Sequence, residues 1–180
     1  MHTGEKAELL ALLRDKAVKH GEFILSSGKK SPYYIDGRLV TLHPEGARLI
    51  GSLLAALLAE RRVDAIGGPT MGADPIIGAV IAESSRRAAP LNGFIVRKES
   101  KEHGTGKKVE GPLEKGMRVA LVDDVISTGG SVISAAEAVR KLGASVDCVV
   151  CLVDREMGAV ETFRSHGYPY LPLFSKSELL

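Results

Sequence analysis

The chain has 180 residues, 44% hydrophobic and 26% charged, with a formal net charge of +2 and no tryptophan. That length supports one sizeable core, and so small a charge excess argues against a general nucleic-acid or membrane-surface binder. The apolar run Leu53–Ala59 stops at Glu60-Arg61-Arg62, far short of a membrane span, and the charged amino terminus lacks a secretory pattern, which predicts a cytoplasmic protein.

Residues Glu5–Lys19 read as an amphipathic helix, with Leu9, Leu10 and Leu13 on one side and Gly21 closing it. An extended segment then runs from Phe23 to Asp36 through the polar turn Ser26–Ser31. Its adjacent aromatics, Tyr33 and Tyr34, suit either of two roles: stacking a planar base, or packing a hairpin on a core. Pro44 fits the first turn of a helix to about Arg62 that buries Leu49, Ile50, Leu53, Leu54 and Leu57. Val63–Ile66 is a short strand, and the loop Gly67–Pro75 leads from it to a helix over Ile76–Ser85. Glycines at 67, 68 and 72 permit close approach of a ligand to the backbone, although a tight turn also explains them.

Gly93–Val96 is the next strand, and it delivers the basic run Arg97–Lys108. By composition this is a solvated loop, with Gly104 and Gly106 adding mobility. In an extended backbone Arg97, Lys101 and His103 share one side and Lys98 faces the other.

The most informative stretch is Arg118–Ser131, RVALVDDVISTGGS. Val119–Val122 suits a strand buried on both faces, with Asp123 and Asp124 at its end pointing to opposite sides. Ser127–Ser131 then opens a helix running to Leu142, and such a turn offers free N–H groups and a positive dipole end to a phosphate. A Walker loop would need Gly-Lys-Ser/Thr and a dinucleotide fold Gly-x-Gly-x-x-Gly; neither is present. Acidic residues beside an anion cradle fit a ligand with both a phosphate and vicinal hydroxyls. An ordinary strand-to-helix turn is the plainer alternative.

Gly143 ends that helix, and Ser145–Val153 forms another buried strand. Cys148 and Cys151 lie within it, three residues apart on opposite faces, and read as structural rather than as a zinc or redox pair. Arg155 follows at the strand's carboxyl end, where it either grips a carboxylate ligand or pairs with Asp154 or Glu156. A short helix over Ala159–Ser165 and a strand-like piece over Gly167–Leu173 close the chain. Strands alternating with helices predict an α/β fold, a single doubly wound domain with a mostly parallel sheet.

RVALVDDVISTGGS closely resembles the phosphoribosyl-diphosphate signature of the type I phosphoribosyltransferases. RKESKEHG at 97–104 and FILSSGKKSPYYIDGR at 23–38 are similar to the catalytic loop and amino-terminal hood of orotate phosphoribosyltransferases. The resemblance covers nearly the whole chain. It implies a hood mainly from residues 1–40 with a contribution from 155–180, and a mobile catalytic loop at about 97–111. The implied reaction joins orotate to phosphoribosyl diphosphate and releases pyrophosphate and orotidine 5′-phosphate, in UMP biosynthesis.

Carried onto this sequence, the resemblance gives Lys98, Lys101, His103, Asp123 and Asp124 catalytic roles. Phosphoribosyl diphosphate would be held by those five with Arg97, Val125, Ile126, Ser127, Thr128, Gly129, Gly130 and Ser131. Orotate would meet Ser127, Arg155, Tyr33 and Tyr34, and the pyrophosphate would meet Thr70, Met71 and Gly72. Mg2+ would ride mainly on the substrate, touching Asp124 indirectly, and a homodimer would share its active sites across the loop. Many relatives carry lysine where Ser26 stands, and several carry tyrosine-lysine where Met71-Gly72 stands, which leaves main-chain amides there. Two other readings share the fold: transfer to another base such as a purine, and a nucleic-acid-binding regulator, for which the chain shows no added basic segment.

Overall fold

The structure, a computed structural model, describes residues 3–24, 30–98 and 108–180. In chain order it contains α1 (Thr3–Lys16), β1 (Val18–Ile24), β2 (Lys30–Ile35), α2 (Arg38–Thr41), α3 (Pro44–Arg61), β3 (Ala65–Pro69), α4 (Ala73–Arg86) and β4 (Asn92–Val96). β5 (Val109–Glu110), β6 (Arg118–Ile126), α5 (Gly130–Lys141), β7 (Ser145–Asp154), α6 (Ala159–Ser165), β8 (Tyr170–Ser175) and α7 (Lys176–Leu179) follow.

The main sheet has the order β5-β4-β3-β6-β7-β8, parallel throughout except where β5 runs against β4. From β3 the chain winds outward to β4, then returns to β3's other side as β6 and winds the opposite way. The carboxyl ends of β3 and β6 therefore flank the topological switch point, where open α/β sheets leave a crevice. Alternate residues of β6 feed two cores. Ala120 and Val122 pack in the cluster with Leu9, Leu54 and Ile76, from α1, α3 and α4. Val119 and Leu121 pack in the cluster with Val139 and Phe163, from α5 and α6. Cys148 belongs to the first cluster and Cys151 to the second, so the two thiols lie on opposite faces as their spacing predicts.

Several boundaries differ from the sequence reading. α1 stops at Lys16, and Lys19 belongs to β1, where Gly21 marks an irregular register between His20 and Phe23. Residues 19–22 are all exposed, so this strand of the β1–β2 hairpin has no apolar alternation to reveal it. On α3, Leu58 is buried and Leu57 only partly so. β6 continues through the acidic pair because Val125 and Ile126 still pair with Val153 and Asp154 of β7. α2, β5 and α7 have no counterpart in the sequence reading. The last of these begins with a reciprocal capping box between Ser175 and Glu178, spaced as that motif requires.

Candidate active site

The carboxyl ends of β3, β6 and β7, with the β1–β2 hairpin, border a cleft of about 810 Å³. Asp123 and Asp124 form its floor. Alternation along a strand predicts that they diverge, but both carboxylates turn to the same neighbour: a Cβ added at Gly72 would collide with an oxygen of each. Local hydrogen bonds hold this arrangement, with Asp124 N–H donating to Asp123 Oδ1 at 3.1 Å and Val125 N–H to Asp124 Oδ1 at 2.8 Å. A Cβ on Gly37 would lie 2.8 Å from Asp124 Oδ2, so a second glycine lets backbone press on the pair.

Burial, reinforced by the charge of Asp124, pushes Asp123 up to about 7, and burial also raises Asp124. Among the described residues neither forms a salt bridge. Arg38, the nearest help, is gripped by Asp36 through Nε at 2.8 Å and Nη2 at 3.1 Å, and it lowers Asp124 only through space.

After β3 the chain turns through Thr70, Met71 and Gly72, which line the cleft, and Thr70 Oγ1 donates to Asp74 Oδ2 at 2.6 Å. After β6 the turn 127–131 reaches Gly129, whose φ of 87° suits glycine and whose close approach to the Phe163 ring leaves no room for a side chain. At the end of β7 stands Arg155. Its Nη1 donates to Ser127 Oγ at 3.4 Å, while its Nε is buried without a partner among the described residues. Opposite lie Arg97 and Lys98. Arg97 N–H donates to Lys108 O at 2.9 Å, beside the antiparallel pairing of β4 with β5.

Residues 40–162 match the phosphoribosyl transferase domain family. The chain is 46% identical over 178 residues to the orotate phosphoribosyltransferase of Streptomyces coelicolor, covering 98% of each. It is 45% identical to that of Corynebacterium glutamicum, covering 97% of this chain and 93% of the other. The chain belongs to the orotate phosphoribosyltransferase family. Its backbone superposes with a TM-score of 0.83 on the Mycobacterium tuberculosis orotate phosphoribosyltransferase solved with 5-phospho-alpha-D-ribosyl 1-diphosphate, at 35% identity, with 97% and 98% of the two chains covered.

Of the residues this family resemblance singles out, the cleft gathers Tyr34, Thr70, Met71, Gly72, Arg97, Lys98, Asp123, Asp124, Val125, Ser127, Ser131 and Arg155. Tyr33 does not join them. It packs against the core, because neighbours on β2 face opposite ways; Tyr34 instead meets Phe23 in a tilted ring contact, with centroids 5.7 Å apart. Ile126 is buried in the second core and offers only main chain, and the side chain of Thr128 and the glycines 129 and 130 stand outside the cleft wall. Lys101 and His103 lie outside the described residues. The cleft also includes Asp36, Arg38, Lys108 and Ser134, which the sequence reading did not select. Asp36-x-Arg38 is a short-range ion-pair spacing, and Ser134 follows Ser131 by one helical turn, so both signals were present.

Proposed function

We propose that the chain transfers the 5-phosphoribosyl group from phosphoribosyl diphosphate to orotate, giving orotidine 5′-phosphate and pyrophosphate in UMP synthesis. The observation that carries this is Arg155. Its acidic neighbours are engaged elsewhere: Asp154 accepts from Glu156 N–H at 2.8 Å, and Glu156 pairs with Lys176 at 3.3 Å. A planar cation with a buried, unpartnered N–H beside a phosphate-accepting turn fits a flat base bearing a carboxylate, and a purine has none.

In this mechanism the turn 127–131, which meets the cleft at Ser127 and Ser131, holds the 5-phosphate, and one carboxylate of the Asp123–Asp124 pair accepts from ribose hydroxyls. Tyr34 and Ser127 border the base, and Thr70, Met71 and Gly72 meet the pyrophosphate. Orotate nitrogen bonds to the anomeric carbon as the carbon–oxygen bond to diphosphate breaks, with positive charge developing on the ribose ring. Arg97, Lys98, Lys101 and His103 stabilise the departing diphosphate, and closure of the 97–111 segment excludes water that would hydrolyse the sugar. Orotate binds with its nitrogen already deprotonated, so no protein base is required.

The donor set suits Mg2+ carried by the substrate. Two buried carboxylates repel each other, and among the described residues no group of three His, Cys, Asp or Glu could hold an ion alone. Asp124 would meet it indirectly, and the bound ion would neutralise the diphosphate leaving group.

The same proposal includes a cytoplasmic homodimer. Ile24 and Met71 on the cleft wall, and Leu39 and Leu42 beside Arg38, are exposed apolar side chains suited to a second copy. No helix among the described residues is long and apolar enough to cross a membrane. The test is loss of orotate absorbance on adding phosphoribosyl diphosphate with Mg2+. No change with both present, or equal turnover of a purine, defeats the reading.

A further inference from the structure

Arg155 is held from its backbone rather than by its side chain. The guanidinium makes one long hydrogen bond, 3.4 Å to Ser127, which is too weak to fix its direction. The main chain on either side is tied: Arg155 N–H donates to Ile126 O at 2.8 Å, and Glu156 N–H to Asp154 Oδ1 at 2.8 Å. Glu156 itself has a φ of 55°, the left-handed region that non-glycine residues seldom occupy. Such a conformation persists where surroundings over-determine it.

Here the surroundings come from the far end of the chain. Ser177 Oγ lies 2.7 and 2.9 Å from the two carboxylate oxygens of Glu156, and Lys176 Nζ lies 3.3 Å away. Both belong to α7, a single turn that has its own anchors. Its capping box closes the amino end, and Arg14 of α1 donates to Glu178 O at 2.6 and 3.0 Å. A continuous set of contacts thus runs from α1 through α7 to Glu156 and the turn that aims Arg155.

We propose that Glu156 is a positioning residue for Arg155, and that α7 sets the geometry of the orotate subsite by gripping the Glu156 carboxylate. This rests on Arg155 being the orotate ligand. Glu156 does not touch the substrate; it fixes the backbone from which the ligand projects. A loose turn would leave the guanidinium sampling several directions, at a cost in orotate affinity that the diphosphate-binding side of the cleft would not share.

Steady-state kinetics of the full chain with Ser177→Ala, Glu156→Asn and Arg155→Ala tests this, varying orotate and phosphoribosyl diphosphate separately. Ser177→Ala removes the hydroxyl's share of the grip and leaves the Lys176 ion pair and the turn in place. Glu156→Asn keeps a residue that tolerates left-handed backbone but is too short to reach α7. Both are expected to raise the orotate KM by about threefold to tenfold, as loss of one or two hydrogen bonds implies, with the phosphoribosyl-diphosphate KM unchanged. Arg155→Ala should raise the orotate KM further. If Arg155→Ala raises it and the other two leave it unchanged, the grip is irrelevant to the site and the inference falls alone. The inference falls likewise if Ser177→Ala or Glu156→Asn raises both KM values together with a loss of Tm, the mark of a purely structural role. If Arg155→Ala itself leaves the orotate KM unchanged, Arg155 leaves the subsite and the inference goes with it.

Discussion

Asp123 and Asp124 are consecutive on β6, yet their carboxylates crowd the same side of Gly72. Neighbours on a regular strand face opposite ways, so this convergence comes from the local turn of backbone N–H groups onto the two side chains. The result is a concentrated negative charge at the switch point between β3 and β6, with no salt bridge to either carboxylate among the described residues.

Replacing Asp123 with Asn should therefore stabilise the free protein while impairing transfer. Burial and the Asp124 charge raise Asp123 from 3.8 to about 7. A carboxyl whose folded pKa is raised costs nothing below its unfolded value, costs progressively more as pH climbs through the folded value, and is constant above it. Asp123→Asn should thus gain roughly 1–4 kcal/mol at pH 8, with the gain closing as pH falls towards 4. Thermal unfolding across that range checks it, and a variant no more stable than the parent at pH 8 shows that the pair is not under electrostatic strain.

Gly72→Ala probes the same contact sterically. Its φ is −61°, so alanine is acceptable to the backbone, and the penalty arises from the carboxylates that its Cβ would strike. Overpacking of this kind typically costs about 1–3 kcal/mol. The expected outcome is a modest drop in Tm with a larger loss of kcat/KM for phosphoribosyl diphosphate, because both aspartates must shift. Unaltered kcat/KM would mean that the pair's position is not critical.

The sequence made legible what depends on period and short-range spacing. The apolar run at Val119–Val122, the helix from Pro44 and the opposite faces of Cys148 and Cys151 are all present as read. It hid what depends on tertiary packing. β1 is exposed and irregular, so its first residues, Val18 and Lys19, read as the tail of a helix, and the two-residue β5 is too short for any pattern. At the site, the sequence reading kept Tyr33 and Tyr34 together where β2 turns them apart, and it parted Asp123 from Asp124, which side-chain-to-backbone bonds bring together. Arg38 was missed because its importance arises only when Gly37 packs on Asp124.

The buried thiols should be chemically silent. Burial pushes Cys148 up to about 12 and Cys151 higher still, and Cys151 Sγ lies 3.0 Å from the Tyr170 hydroxyl inside the second core. Thiolate is the reactive form, so neither should react with a thiol reagent in the native protein at pH 8, and activity should survive the treatment. Two equivalents should react after unfolding. Rapid native labelling would show that β7 opens far more readily than its place between β6 and β8 suggests.

If the 97–111 segment of one subunit serves the active site of its partner, two inactive variants should rescue each other. Lys101→Ala removes a charge from that segment, and Asp124→Asn damages the floor of the cleft, so each homodimer has two defective sites. In a mixed dimer both defects fall in one site and the other is intact. Random reassortment of equal amounts makes half the dimers mixed, so about a quarter of parental activity should return, from a two-subunit symmetric assembly. Activity that stays at the level of the separate variants, with subunit exchange verified by mass, would mean that Lys101 acts within its own chain.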